Sequence, residues 1–168
     1  DAARLDSAIF DEGFHRPARD FAADRIEATH RDDFRGIVDH QVDAVEDLLG
    51  PDLLVWGSGF FHKPARDPAF VSWHQDSTYW GLSSPDVVTA WVALTPANPT
   101  SGGMRMVPGT HRSQVAHTDT YAAENLLSRG QEIAVRVNED EAIDVVLAPG
   151  QMSLHHVLIF HGSPPNTA

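Results

Sequence analysis

The chain has 168 residues, 42% of them apolar, with 24 acidic against 12 basic side chains, a formal charge of −12 and no cysteine. That length and apolar share suit one packed domain. The charge excludes nucleic acid and anionic membrane surfaces as partners, because such binders need a basic face. Disulfides, thiolate nucleophiles and Cys-ligated zinc are excluded by the lack of cysteine, and no apolar run approaches the ~20 residues of a membrane-spanning helix. A soluble, cytoplasmic domain is expected.

Residues 1–50 are polar and end in one amphipathic helix, in which Val38, Val42, Val45 and Leu49 recur at helical spacing with acidic residues opposite. Gly50-Pro51 should stop it, glycine by taking the left-handed cap and proline by being unable to continue. A near-repeat, Phe14-His15-Arg16-Pro17-Ala18-Arg19-Asp20 against Phe61-His62-Lys63-Pro64-Ala65-Arg66-Asp67, is too short to signal a repeat architecture. From Leu53 onward the pattern predicts short strands near 53–62, 70–76, 86–95, 103–107, 132–137, 143–148 and 151–160. The separators are turn residues such as Ser83-Ser84-Pro85, Pro108-Gly109 and Pro149-Gly150. Residues 117–130 are expected to form a loop with a helical turn. Strands at this spacing predict a mainly β domain, a sandwich or barrel of antiparallel sheets with helices packed before it. The end at Pro164-Pro165-Asn166-Thr167-Ala168 reads as a turn, so a closing strand is expected beyond it.

The chemistry centres on Val71-Ser72-Trp73-His74-Gln75-Asp76. On a strand, residues two apart share a face, so His74 and Asp76 should project together while Gln75 points away. An imidazole and a carboxylate converging in this way can supply two ligands to one side of a metal. A third must come from elsewhere, and His155, His156 and His161 compete for it. On one regular strand His155 and His161 would lie roughly 20 Å apart, so they could not bind the same ion. His161 stands at the strand's end, where side chains converge at a barrel mouth, but the residues alone leave the choice open. Two histidines and one carboxylate on one face of an octahedron leave positions free for reactants.

The order of the surrounding segments adds specificity. His74-Gln75-Asp76-Ser77-Thr78-Tyr79-Trp80 precedes Val87-Val88-Thr89-Ala90-Trp91-Val92-Ala93-Leu94. Gly102-Gly103-Met104-Arg105-Met106-Val107-Pro108-Gly109-Thr110-His111 and His161-Gly162-Ser163-Pro164-Pro165-Asn166 follow. From Leu53 to Asn166 this series resembles the phytanoyl-CoA dioxygenase family of Fe(II)- and 2-oxoglutarate-dependent oxygenases. The resemblance implies a double-stranded β-helix (a jelly-roll, cupin-like barrel) with His74, Asp76 and His161 as iron ligands. It also places Trp91 and Ser163 at the 2-oxoglutarate pocket, with Gln75 near it. The implied reaction consumes 2-oxoglutarate and O₂ and hydroxylates an unactivated C–H bond of a small molecule. Related halogenating enzymes replace the carboxylate ligand with a small residue, so Asp76 argues for hydroxylation. Family members also carry an arginine about ten residues after the distal histidine, which clamps the co-substrate's far carboxylate through bidentate bonds. That position falls beyond Ala168.

Two other readings keep the same triad: an inactive metal-binding barrel that acts as a ligand-binding protein, and a zinc-dependent hydrolase. Few basic residues disfavour a CoA ester as substrate. Arg105 and the aromatic residues Phe60, Phe61, Trp73, Tyr79 and Trp80 are expected either to shape a pocket or, for the aromatics preferentially, to fill the core.

Overall fold

A computed structural model of the protein describes residues 41–168. Val38 and the first copy of the near-repeat lie outside the described residues. Residues 41–49 are helical and end at Gly50, whose φ of +90° is the left-handed conformation that glycine enters without strain. Its N–H closes the last turn on the Glu46 carbonyl at 2.8 Å. The buried stripe differs from the predicted one, because Ala44 is buried while Val42 is 42% exposed. The packed face is centred on a small residue that a search for bulky apolar side chains passes over.

The rest of the described chain is built on eight short strands. These are β1 (Val71–His74), β2 (Val88–Val92), β3 (Arg105–Val107), β4 (His117–Asp119), β5 (Gln131–Ile133), β6 (Ile143–Asp144), β7 (Met152–His156) and β8 (Phe160–Ser163). They form a four-stranded sheet in the order β1-β8-β3-β6 and two pairs, β2-β7 and β4-β5. Every ladder is antiparallel. The domain is thus mainly β with few helices, an arrangement consistent with a jelly roll, though the described strands form no closed barrel. None of the described helices is long and apolar enough to cross a membrane.

The predicted strand over 53–62 does not form. Leu54 is 97% and Phe60 85% exposed, and Phe61 is exposed as well, so two of the aromatics assigned to the core lie outside it. An apolar run becomes a strand only where a ladder partner exists, and no described segment pairs with this one. Residues 117–130 also depart from expectation. They open with strand β4, which pairs with β5 and leaves 120–130 as the connecting loop. His117-Thr118-Asp119 carries no apolar alternation, because a pair held by main-chain bonds with its side chains largely in solvent needs none.

The most consequential difference lies in residues 151–160. The predicted single strand is two: β7 ends at His156, the chain turns through 157–159, and β8 begins at Phe160. The turn is closed by the Ile159 N–H on the His156 carbonyl at 2.9 Å and by the Leu158 N–H on His156 Nδ1 at 3.1 Å. It carries the chain from the β2-β7 pair into the four-stranded sheet. Val157, Leu158 and Ile159 are all buried, so a corner that would ordinarily show glycine or proline is written in core residues.

Ile159 belongs to the core with Met104, Met106 and Val145, against which Trp91, Ile143 and Leu147 pack. β8 runs down the middle of the large sheet between β1 and β3. Gly162 lets β1 come close, since a Cβ there would lie 2.9 Å from the Val71 carbonyl oxygen and 3.2 Å from Ser72 main-chain atoms. Gly162→Ala is therefore expected to push β1 away from β8, destabilise the fold by about 1–3 kcal/mol, and weaken divalent-metal binding. Thermal melts and metal titration of the variant check this, and an unchanged Tm would contradict the close approach.

Candidate metal centre

His74 and His161 face each other across the β1–β8 ladder as directly paired residues. Between Val71↔Ser163 and His74↔His161 the register slips by one residue, so β1 is bulged immediately before its histidine. Bulges of this kind re-aim side chains at the ends of strands. Asp76 does not share a strand face with His74, as the i, i+2 spacing predicted. β1 ends at His74, and Asp76 already has helical dihedrals (φ −60°, ψ −39°) at the head of the single turn Ser77–Trp80. The two side chains converge all the same, through the strand-to-turn transition, with Asp76 Oδ1 3.3 Å from His74 Nε2 and 3.7 Å from His161 Nε2.

The three ligand atoms all lie within 4.8 Å of one another, and both histidines are buried. Ligands bound cis at ~2.1 Å from an ion stand about 3 Å apart, so the donor set fits one metal with modest closure. The hydrogen bonds behind the triad prepare it for that task. His74 Nδ1 lies 2.9 Å from the Ser72 carbonyl and His161 Nδ1 3.0 Å from the Ile159 carbonyl. A carbonyl only accepts, so each Nδ1 carries the proton and each Nε2 turns its lone pair toward the shared space. Thr89 on β2 donates its hydroxyl to Asp76 Oδ2 at 3.0 Å, which leaves Oδ1 turned toward the two imidazoles.

Electrostatics agree. Burial alone would raise the Asp76 carboxyl, but the histidines opposite it, His161 by charge and His74 also by hydrogen bond, hold it well below the ordinary carboxylate range. Burial pushes His161 down to about 4, helped by His74 and opposed by Asp76 and the Ile159 carbonyl. At neutral pH the carboxylate is ionised and the His161 imidazole neutral, as metal ligation requires.

The other histidines are also placed. His155 does not lie roughly 20 Å from His161: the corner at 157–159 brings their ring centroids to 4.9 Å. It is nevertheless outside the triad of potential ligands. Neither of its ring nitrogens has a hydrogen-bond partner among the described residues, and burial pushes it down to about 3. His156 lies on the opposite face of β7 from His155, its ring tilted against that of His111 with centroids 5.6 Å apart, and accepts the Leu158 N–H.

Gln75 is fully buried and is committed to main chain. Its amide donates to the Ser113 and Leu158 carbonyls at 2.8 and 2.6 Å and accepts the Val115 N–H at 2.8 Å. Trp91 stands on β2 two residues from Thr89, and so on the same face, against the core cluster. Ser163, two residues after His161, accepts a 2.7 Å bond from Lys63 Nζ, which also donates to the Pro164 carbonyl at 2.6 Å. Burial pulls this ammonium down to about 8, with Asp67 opposing. Lys63 was not singled out from sequence, although it is the only lysine in the chain and so a visible signal. Thr89 gave no comparable signal. Arg105 pairs with Glu139 at 3.1 Å and Asp144 at 3.5 Å, and sits 5.8 Å over Trp73. Tyr79 donates to Asp119 at 3.0 Å.

Antiparallel sheets here present two imidazoles and one carboxylate toward a common point, a donor set that could hold a metal ion in two-histidine, one-carboxylate fashion. The chain belongs to the phytanoyl-CoA dioxygenase (PhyH) family, which it matches over residues 2–168. It is 31% identical over 134 residues to a probable alpha-ketoglutarate-dependent hypophosphite dioxygenase of Stutzerimonas stutzeri, covering 74% of this chain and 44% of that protein. Among solved structures it is similar to the apo form of the non-heme monooxygenase ThoJ, with 40% identity and a TM-score of 0.66, covering 76% of this chain and 46% of that one. It is also similar to EvdO2 of Micromonospora carbonacea var. aurantiaca complexed with 2-oxoglutarate, with 28% identity, a TM-score of 0.51, and 63% and 43% coverage. The chain spans less than half the length of each of these relatives.

Two outcomes follow from the geometry. Thr89→Val removes the hydroxyl that orients Asp76, and metal affinity measured by titration is expected to fall roughly 10-fold or more, the usual cost of losing an outer-shell partner. Unfolding returns His161 and His155 to ordinary values near 6.5, so below that pH the unfolded chain binds more protons than the folded one. Stability of the metal-free protein is therefore complete above about pH 6.5 and is lost progressively as pH falls toward about 4. Thermal melts across that window should show a declining Tm, and a flat profile would contradict neutral burial of these imidazoles.

Proposed function

We propose that this chain carries the metal centre of an Fe(II)- and 2-oxoglutarate-dependent dioxygenase, built on a double-stranded β-helix, that hydroxylates an unactivated C–H bond of a small molecule. The observation that carries this reading is the triad itself: His74 Nε2, His161 Nε2 and Asp76 Oδ1 converge on one side of a common point. Three protein ligands leave positions for a bidentate keto acid and for O₂. The similarity to a probable alpha-ketoglutarate-dependent hypophosphite dioxygenase and to EvdO2 complexed with 2-oxoglutarate supports the same co-substrate.

When bound, Fe(II) with 2-oxoglutarate and O₂ supplies the oxidising power for hydroxylation, releasing succinate and carbon dioxide. The protein's share is to hold, orient and shield. His74, Asp76 and His161 hold the ion, and the Ser72 and Ile159 carbonyls and the Thr89 hydroxyl keep those ligands aimed. Trp91 and Ser163 line the co-substrate pocket, and Lys63 beside Ser163 offers a positive charge to a carboxylate. Gln75 supports the pocket from behind by tying residues 113–115 to the corner at Leu158. The filled ligand position at Asp76 favours hydroxylation over halogenation.

The test is coupled turnover. The full-length protein, supplied anaerobically with Fe(II) and then with 2-oxoglutarate and O₂ in a panel of small molecules, should form succinate. Asp76→Ala should reduce this by more than the roughly 10–100-fold that loss of an outer-shell partner costs. Activity dependent on zinc without succinate would overturn the oxygenase reading in favour of hydrolysis. Metal binding with no turnover in any form would favour a ligand-binding barrel.

A further inference from the structure

The inner side of β7 holds buried polar atoms that the described residues leave without partners. Ser153 Oγ and both ring nitrogens of His155 are buried and make no hydrogen bond. Both residues are almost fully enclosed, at 5% and 2% exposure. Native interiors pair the great majority of their buried polar groups, so a cluster of three unpaired atoms calls for an explanation.

Their placement supplies one. In the β2–β7 ladder Ser153 is paired with Trp91 and His155 with Thr89. Directly paired residues share a face of the sheet, so Ser153, His155, Trp91 and Thr89 all point the same way. Thr89 reaches Asp76 from that face, and the His155 ring lies 4.9 Å from that of His161. The unpaired atoms thus lie along the wall of the metal centre. His155 is not one of the potential metal ligands, and a neutral imidazole has one N–H to give. Beside a metal whose remaining positions accept an anionic chelate, that donor is matched by a carboxylate oxygen.

We propose that His155, with Ser153 next to it on β7, binds the co-substrate by donating hydrogen bonds to the metal-chelating carboxylate of a 2-oxo acid. This rests on the 2-oxoglutarate reading above. It adds a second wall to the pocket, opposite in origin from Ser163 and Lys63, which belong to β8 and to the segment before β1. It also accounts for the unpaired atoms: they are satisfied when the co-substrate arrives, and their cost falls on the empty protein. A histidine that merely filled the core would bring no such gain on binding, and an apolar residue would serve it better.

The experiment is anaerobic titration of 2-oxoglutarate into the Fe(II)-loaded full-length protein, read by the visible charge-transfer absorption of the chelated keto acid, with Fe(II) affinity and thermal melts measured in parallel. His155→Phe and His155→Leu fill the same space with different shapes and no donor, and His155→Gln restores an N–H. The apolar variants are expected to bind 2-oxoglutarate about tenfold more weakly or worse, the scale of a hydrogen bond to a charged group. Their charge-transfer band should shift, and their metal-free Tm should be unchanged or raised, with Fe(II) affinity close to wild type. His155→Gln should recover most of the affinity. Binding within about twofold of wild type in the apolar variants, with an unshifted band, would overturn the assignment while leaving the 2-oxoglutarate reading intact. Failure of the wild type to bind 2-oxoglutarate would overturn both. If neither apolar variant folds, imidazole NMR of the zinc-loaded wild type decides: a His155 N–H that moves on adding 2-oxoglutarate supports the role, and one that does not move overturns it.

Discussion

The antiparallel contact between β1 and β8 governs everything else in the described structure. It joins a strand near the start of the β region to its last strand, and its register sets His74 opposite His161. Main-chain hydrogen bonds hold the two imidazoles at a separation that neither side chain could maintain alone. The one-residue bulge in β1 and the missing side chain at Gly162 both serve this contact, the first by turning His74 and the second by letting the strands close. With the ladder in place, Asp76 needs only the short turn after β1 to reach both imidazoles.

The site also ties two sheets together. Its ligands come from β1, β8 and the turn following β1, whereas Thr89, Trp91, Ser153 and His155 come from the β2–β7 pair. The Thr89–Asp76 bond spans the two. On that face Trp91 packs against the core of Met104, Met106, Val145 and Ile159, while Ser153 and His155, paired with Trp91 and Thr89, are buried polar residues.

Much of the site was legible because its parts are short, ordered and chemically distinctive. His74, Asp76 and His161 could be named since few residue types ligate iron and since the segments around them follow a family's order. Geometry was less legible. The i, i+2 rule named two side chains that do converge, but for a different reason, as Asp76 lies in a turn and not on the strand. The expected separation of His155 from His161 along one regular strand failed, because a corner made of Val157, Leu158 and Ile159 carries none of the turn residues by which corners are recognised. Lys63 was visible as the sole lysine, but its bond to Ser163 joins residues a hundred positions apart, and no local pattern encodes such a contact. Phe60 and Phe61 were misjudged because apolarity states a preference for burial without naming a partner.

What the sequence determined by itself, then, is chemical and local: an acidic chain without sulfur nucleophiles, short strands between turn residues, a helix stop at Gly50-Pro51, and a set of metal-ligating side chains in a recognisable order. These follow from composition and from periodicities that act over a few residues. Only the tertiary structure decided which ring nitrogens converge on Asp76, which hydroxyl bonds its carboxylate, and which buried polar atoms lack a partner among the described residues. Each of those depends on strand register and sheet crossing, where main-chain pairing brings together residues whose separation along the chain carries no information about their distance in space.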